Sequence, residues 1–244
     1  MRTLYLILTA IIAYCLGSIN GAIIAGRYVF HKDVRSYGSG NAGLTNYYRN
    51  FGTPGVVLLV LIDVLKAVAS VLIGGALLNK AGIREIGMLF AGFCLILGHM
   101  FPAYYQFRGG KGVLSGVTMA FLIDWRVGLC CLLTFMILLL FTRYVSLGSV
   151  VGSALFPIYL WIFGHEKLSI ILGALCALLI VIKHAENIVR LIGGTESKLD
   201  LSGSSRKRDD EDFTNPEKAL ENTKKWLTRG VLFARIPLVV QTGV

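Results

Sequence analysis

The chain has 244 residues, of which 55% are hydrophobic and only 16% charged, with a mean hydropathy of +0.68. A soluble domain carries about 25% charged residues, so this composition excludes a water-covered globule, and with it a disordered chain, a collagen or a secreted disulfide scaffold. The net charge of +10 is uneven: residues 1–198 hold 16 basic against 7 acidic side chains, and residues 199–244 hold 8 against 7. A basic excess lying between apolar runs suits the positive-inside rule or an anionic ligand, and does not suit nucleic acid.

A bilayer core takes about 20 apolar residues per helix. In chain order the runs 4–26, 56–78, 86–103, 113–123, 127–141, 145–163 and 168–182 are the expected spans. The first is longer than a signal-peptide core and lacks a cleavage site, so it counts as a span. The second is interrupted by Asp63 and Lys66, three apart and on one face, which reads as a structural pair or a contact to ligand. The fourth is short, and Asp124 and Arg126 make its merger with the fifth costly. The sequence thus predicts an all-α membrane protein, a polytopic bundle of about seven transmembrane helices with short re-entrant or interfacial segments. Cys15, Cys94, Cys130, Cys131 and Cys176 all fall within apolar runs and read as small core or lipid-facing residues.

Polar residues gather in loops that seven crossings put on one side. Between the first two spans runs Tyr37-Gly38-Ser39-Gly40-Asn41-Ala42-Gly43-Leu44-Thr45-Asn46-Tyr47-Tyr48-Arg49. Its glycines can turn backbone N–H groups toward one anion, and Arg49 adds a planar fork that matches phosphate. A flexible turn-rich loop is the competing reading. After the third span come Gly98-His99-Met100-Phe101-Pro102 and Phe107-Arg108-Gly109-Gly110-Lys111-Gly112. Lys111 between glycines suits phosphate; Arg108 reads as a membrane anchor and His99 as a structural histidine. Beyond the fifth span, Ser146 and Ser149 suit either the same chamber or a seam of backbone-bonded serines. After the seventh, His184, Asn187 and Arg190 recur every three residues as a polar helical stripe, and Glu196 and Lys198 are placed to pair after a turn. No metal-ligand set and no nucleophile elbow accompany them. The residues alone describe a site for a phosphorylated anion and leave reaction and transport both open.

These motifs, with His184-Ala185-Glu186-Asn187-Ile188-Val189-Arg190-Leu191 and Gly194-Thr195-Glu196-Ser197-Lys198, resemble in order and spacing those of the bacterial PlsY family, over about residues 4–198. The resemblance implies acyl transfer from acyl phosphate to the 1-hydroxyl of sn-glycerol 3-phosphate, giving lysophosphatidate and inorganic phosphate, without cofactor or metal. It implies catalytic roles for Ser39, Arg49, Lys111 and His184. Substrate-binding roles fall to Gly38, Gly40, Asn41, Gly43, Thr45, Asn46, Ser149 and Asn187. It also implies a bacterial inner-membrane setting and a functional link to the enzyme that forms acyl phosphate. Departures from the family pattern are Asn20 where proline is common, Leu44 for alanine and Ala67 for glycine. Residues 1–198 are the expected enzyme domain. Residues 199–244 are an expected cytoplasmic tail, with a charged linker at 206–212 and an amphipathic helix opening at Asn215-Pro216.

Loops 27–53, 104–112 and 142–144 carry Arg27, Lys32, Arg35, Arg49, Arg108, Lys111 and Arg143, against Arg2, Lys80, Arg84, Arg126 and Lys167 on the other side. Lys183, Arg190, Lys198 and the eight Lys and Arg of residues 199–244 add to the first side, so the N-terminus is expected outside and the C-terminus and site in the cytoplasm. In a background freed of native cysteines, Tyr37→Cys and Asn50→Cys should react with an impermeant thiol reagent in inverted vesicles only. Labelling in intact cells would reverse the orientation.

Overall fold

The computed structural model describes residues 1–199. The linker and amphipathic helix expected at 206–212 and 215 onward lie outside the described residues. The described part contains only helices and connecting loops: α1 (Arg2–Ser18), α2 (Gly21–Phe30), α3 (Leu44–Phe51), α4 (Val56–Asn79), α5 (Arg84–Met100), α6 (Val113–Ile123), α7 (Trp125–Thr142), α8 (Val145–Ile162), α9 (Lys167–Lys183) and α10 (Ala185–Ile192), with single 3₁₀ turns at Val34–Ser36 and Ala103–Tyr105. In lipid, every backbone group must find its partner inside the chain, which helices achieve and open strands do not.

Taken as one segment, α1–α2 is long and apolar enough to cross a membrane, as are α4, α5 together with the 3₁₀ turn that follows it, α7 and α8; the bent pair α9–α10 is a sixth candidate. The eleven residues of α6 reach only about 16 Å at 1.5 Å per residue, short of a hydrocarbon core of roughly 30 Å. The most enclosed of the spans is α5, which packs against α1, α4, α6 and α9. Gly17 and Gly98 bring α1 and α5 so close that backbone atoms of Leu95 and Tyr14 occupy the space a Cβ would need. Leu89, Ile96, Met100, Met119, Phe156, Leu160 and Ile180 form the main apolar core beside this seam.

Two expected elements change shape. The first span, expected to be continuous over 4–26, is broken: Ile19 and Asn20 are both extended, and the Asn20 side chain caps α2 by accepting from Ile23 N at 3.0 Å. The seventh span ends at Lys183, and α10 turns away from α9 by 61°. His184 therefore sits in the bend and does not share a helix face with Asn187 and Arg190, as the three-residue spacing suggested.

The charges within α4 are a structural pair. Lys66 Nζ lies 2.8 Å from Asp63 Oδ1, and both residues are buried. Lys66 also donates to the carbonyls of Gly17, at 3.2 Å, and Ile19, while Asp63 accepts from Gly21 N at 3.2 Å. These bonds satisfy the backbone groups freed by the break between α1 and α2. The opposite end of the bundle is closed by His165, whose Nδ1 is 2.9 Å from Glu85 and Nε2 3.4 Å from Asp124, with Arg126 on Asp124 at 2.6 Å.

Removing one partner of a buried ion pair costs about 3–5 kcal/mol, because the other charge is left unanswered. Lys66→Met should therefore lower the midpoint of thermal unfolding in detergent sharply, and Asp63→Leu together with Lys66→Met should recover the part of the loss due to the unanswered charge, keeping the part due to the unpaired Gly17 and Ile19 carbonyls and Gly21 N. A single variant as stable as the parent would show that the pair carries no such charge.

Candidate functional site

Residues 37–43 form a loop built around Asn46. Its amide donates to the carbonyls of Val34, Tyr37 and Asn41 at 3.2, 3.0 and 3.0 Å, and its Oδ1 accepts from Ser39 N at 3.0 Å. Asn50 donates to the Asn46 carbonyl and side chain. Gly38 has φ +55°, and a Cβ there would run into Asn46 and Asn50. Four of the loop amides have other partners: Ser39 N binds Asn46, Gly40 N the Tyr37 carbonyl, Gly43 N the Asn41 carbonyl, and Ala42 N faces the Gly109 carbonyl at 3.5 Å. The first three hold the loop's own shape, and the fourth ties it to the next loop. The side chain of Ser39 stays exposed, and Thr45 lies in the first turn of α3, which starts at Leu44 after Gly43.

Arg35 and Asp33 tie this loop to the next. Arg35 pairs with Asp33 at 2.8 Å and donates to the Tyr105 carbonyl at 2.7 Å. The Arg35 hydrogen bond, above all, holds the Asp33 carboxyl well below the usual carboxylate range. Arg27 is 3.0 Å from the same carboxylate.

On the other flank, Lys111 Nζ donates to Asn187 Oδ1. Asn187 Nδ2 donates to Glu196 Oε1 at 2.7 Å, Ser146 Oγ donates to that same oxygen at 2.7 Å, and Arg190 Nε donates to Glu196 Oε2 at 2.7 Å. Because Glu196 only accepts, it fixes which way the Asn187 amide points: nitrogen to the carboxylate, oxygen to the ammonium. Burial pushes the Glu196 carboxyl up, but the bonds from Ser146, Asn187 and Arg190 outweigh it and leave the group below its ordinary value. The pairing of Glu196 with Lys198 suggested by spacing is replaced by Arg190, and Lys198 lies over the Tyr144 ring at 5.5 Å. Arg49 donates to the Ser197 carbonyl at 2.9 Å, joining the end of α3 to the same segment.

His184 is buried in the bend, with Nδ1 at 2.8 Å from the Ile180 carbonyl. A carbonyl can only accept, so Nδ1 carries the proton and Nε2 keeps its lone pair. Ser149 is buried, and its hydroxyl donates to the Val145 carbonyl one turn back in α8, at 2.8 Å. Of the two serines it is Ser146 that reaches the polar network.

Lys111 and Asn187, far apart in sequence, thus meet beside the Glu196 carboxylate, and Arg49 reaches the carbonyl of the next residue. Ser146, Arg190 and Glu196 complete that group and were absent from the predicted site set. The sequence had marked each of them short of a site role: Ser146 beside the chamber, Arg190 in the polar stripe, and Arg190 and Glu196 within the family-like motifs. Among the described residues, no three His, Cys, Asp or Glu side chains are grouped to hold a metal ion.

An α-helical membrane bundle with a cation-rich, hydrogen-bonded polar cluster at one end is the class of protein defined here. The family profile for glycerol-3-phosphate acyltransferase matches residues 7–194. A glycerol-3-phosphate acyltransferase of Thermoanaerobacter sp. (strain X514) is 40% identical over 196 residues, 80% of this chain and 96% of the relative. Glycerol-3-phosphate acyltransferase 2 of Bacillus anthracis is 39% identical over 79% of this chain and 98% of the relative. The crystal structure of PlsY (YgiH), an integral membrane glycerol 3-phosphate acyltransferase, superposes in its glycerol 3-phosphate form with a TM-score of 0.72 at 34% identity, covering 80% of this chain and 96% of that one. Its lysophosphatidic acid form gives 0.70 at 32% identity. The chain belongs to the glycerol-3-phosphate acyltransferase family and is an integral membrane protein.

The electrostatics of Lys111 are measurable. Burial, first, then Arg190 and Arg49, draw its ammonium down from 10.5 to about 8, against the pull of Glu196 and Glu186. Its charge is therefore present below pH 8 and lost as pH rises through that value. The rate of Lys111 modification by an amine-selective acylating reagent, followed by peptide mass spectrometry, should rise with a midpoint near 8. Glu196→Gln should move the midpoint lower. A midpoint at the ordinary lysine value would contradict the buried setting.

Proposed function

We propose that this protein transfers an acyl group from acyl phosphate to the 1-hydroxyl of sn-glycerol 3-phosphate, forming lysophosphatidate and inorganic phosphate for phospholipid synthesis. The observation that carries this reading is the convergence of Lys111, from the α5–α6 loop, on the Asn187–Glu196 network and of Arg49, from α3, on the adjoining Ser197 carbonyl at one end of the bundle. Support comes from relatives named glycerol-3-phosphate acyltransferase and from related structures in glycerol 3-phosphate and lysophosphatidic acid forms.

Both substrates bear phosphate, and the site offers cations that differ in kind. Arg49 presents a planar fork, suited to bidentate contact with a phosphate. Lys111 is a compact charge that can follow the leaving phosphate. Ser39, with Gly38, Gly40, Asn41 and Gly43 shaping its loop and Thr45 and Asn46 supporting it, offers a hydroxyl to the same anions. Ser149, His184 and Asn187 are assigned to glycerol phosphate. Ser149 can take that role by turning its hydroxyl from the Val145 carbonyl.

In the reaction the glycerol 1-oxygen attacks the acyl carbonyl carbon and forms the new ester C–O bond. The bond from that carbon to the phosphate oxygen breaks, and the electron pair leaves with phosphate. The hydroxyl proton passes to a substrate phosphate oxygen, with His184 Nε2 aligning the hydroxyl; phosphate is a good leaving group and needs only mild activation of the nucleophile. Lys111 and Arg49 stabilise the negative charge that develops on the acyl oxygen and the departing phosphate. No step calls for a metal or cofactor. The setting is the bacterial inner membrane, with the site toward the cytoplasm, where an acyl-phosphate-forming enzyme would supply the donor. Residues 1–198 constitute the catalytic domain and 199–244 the tail.

Purified protein should release inorganic phosphate only when both substrates are present. Lys111→Ala should lower that rate by about 10²–10³-fold, the effect of losing one transition-state contact of about 2.7–4 kcal/mol, with folding checked by thermal unfolding. Uptake of an organic phosphate into vesicles without turnover would make the protein a transporter. A Lys111→Ala rate within a few-fold of the parent would remove the phosphate clamp.

A further inference from the structure

The buried charges of α4 lie beneath the site and outside it, and neither the loops nor the chemistry assigned above uses them. Their contacts lead to both glycine loops. Lys66 Nζ is 2.9 Å from His99 Nδ1, and His99 Nδ1 is 3.9 Å from Asp63 Oδ1. An ammonium only donates, so Nδ1 accepts and the ring proton sits on Nε2. That edge of the ring lies against Gly110: a Cβ on Gly110 would strike His99 Nε2 on one side and the Ala42 carbonyl on the other. Gly110 N donates to the His99 carbonyl at 3.1 Å, and Gly109 N to that of Met100 at 3.2 Å. The strand of chain that delivers Lys111 is thus laid directly on His99.

The second line runs through the broken first span. Lys66 holds the carbonyls of Gly17 and Ile19, and Asp63 holds Gly21 N, on either side of Asn20. Asn20 uses its oxygen to cap α2 and its nitrogen to donate to the Ala42 carbonyl at 3.1 Å. Ala42 N faces the Gly109 carbonyl. The two loops therefore touch each other at Ala42, Gly109 and Gly110; one rests on His99, which Lys66 touches, and the other on Asn20, which follows the Ile19 carbonyl that Lys66 holds. Asn20, Ala42, Asp63, Lys66, His99 and Gly110 are all buried.

We infer that the Asp63–Lys66–His99 cluster, acting through Asn20, is the positioning device of the site: it sets the Ala42 loop and the Gly110–Lys111 loop in register. These are positioning residues, since all are buried and none belongs to the Arg49–Lys111–Asn187–Glu196 cluster assigned to the substrates. The inference rests on the proposed role of Lys111. A displacement of about 1 Å in a catalytic constellation can cost on the order of 10²-fold in rate. Loss of register should therefore be visible in both KM and kcat.

The test uses the full chain in detergent, with kinetics in both substrates referred to the folded fraction. Asp63→Leu with Lys66→Met removes both charges together and leaves none unanswered. Asn20→Ala leaves the ion pair intact and cuts only the tie to Ala42. Both should raise KM for glycerol 3-phosphate and for acyl phosphate and lower kcat, the double variant by on the order of 10²-fold in kcat/KM and Asn20→Ala by less. Combining all three changes should cost little more than the double variant, because Asn20 acts through the same break. A purely structural role would lower the yield of folded protein and leave the constants of the folded fraction unchanged. If Lys111→Ala is crippled while the double variant, or Asn20→Ala where the double variant does not fold, keeps parental KM and kcat, the positioning role is overturned alone. If Lys111→Ala is itself silent, the site reading falls and this inference with it.

Discussion

An ammonium in the middle of a helical membrane bundle has to be surrounded by acceptors, and Lys66 is answered by a carboxylate, an imidazole nitrogen and two main-chain carbonyls. The two carbonyls are available only because α1 stops at Ser18 and the chain runs extended through Ile19 and Asn20. The break and the charge depend on each other. Without the break, Lys66 would lack half its partners; without Lys66, the break would expose main-chain groups where no water can reach them. Irregular backbone, otherwise costly at this depth, is thereby made available beneath the loops that carry the polar residues.

Charge is handled differently at the two ends of the molecule. At the end away from the site, His165, Glu85, Asp124 and Arg126 pair among themselves and close the turns between helices. At the site end, cations exceed the carboxylates that can answer them. Asp33 takes up Arg27 and Arg35, and Glu196 takes up Arg190. Arg49 and Lys111 are left with neutral oxygens, a carbonyl and an amide. Such partners hold a cation in place without cancelling its charge, which suits a site that must admit phosphate and release it.

Glu196 shows how a carboxylate can organise an anion site without repelling the ligand. Its oxygens are already engaged by Ser146, Asn187 and Arg190. What faces the site is the oriented amide of Asn187, and through it Lys111. Removing Glu196 would leave three donors without their common acceptor, so its contribution runs through the direction of those groups.

The sequence by itself determined the solvent and most of the apolar helices, and it set the polar loops together on one expected side. Low charge and runs of about 20 apolar residues are local properties, and so is the alternation that puts the glycine loops, Ser146 and Glu196 on one side. The motifs carried the family. Geometry between distant segments was beyond reach. Nothing local says that Glu196 takes Arg190 rather than Lys198, that Ser146 rather than Ser149 meets it, or that the Ser39 amide closes on Asn46. The first two are competitions among partners of equal chemistry, decided by which one the packing of α8, α9 and α10 brings within 3 Å. The break at Asn20 and the bend at His184 were hidden for a related reason. A hydropathy run records how apolar the residues are and is blind to main-chain bonds, whereas the end of α1 is held by Lys66, a tertiary partner, and the end of α9 by the His184 ring, which binds the Ile180 carbonyl one turn back.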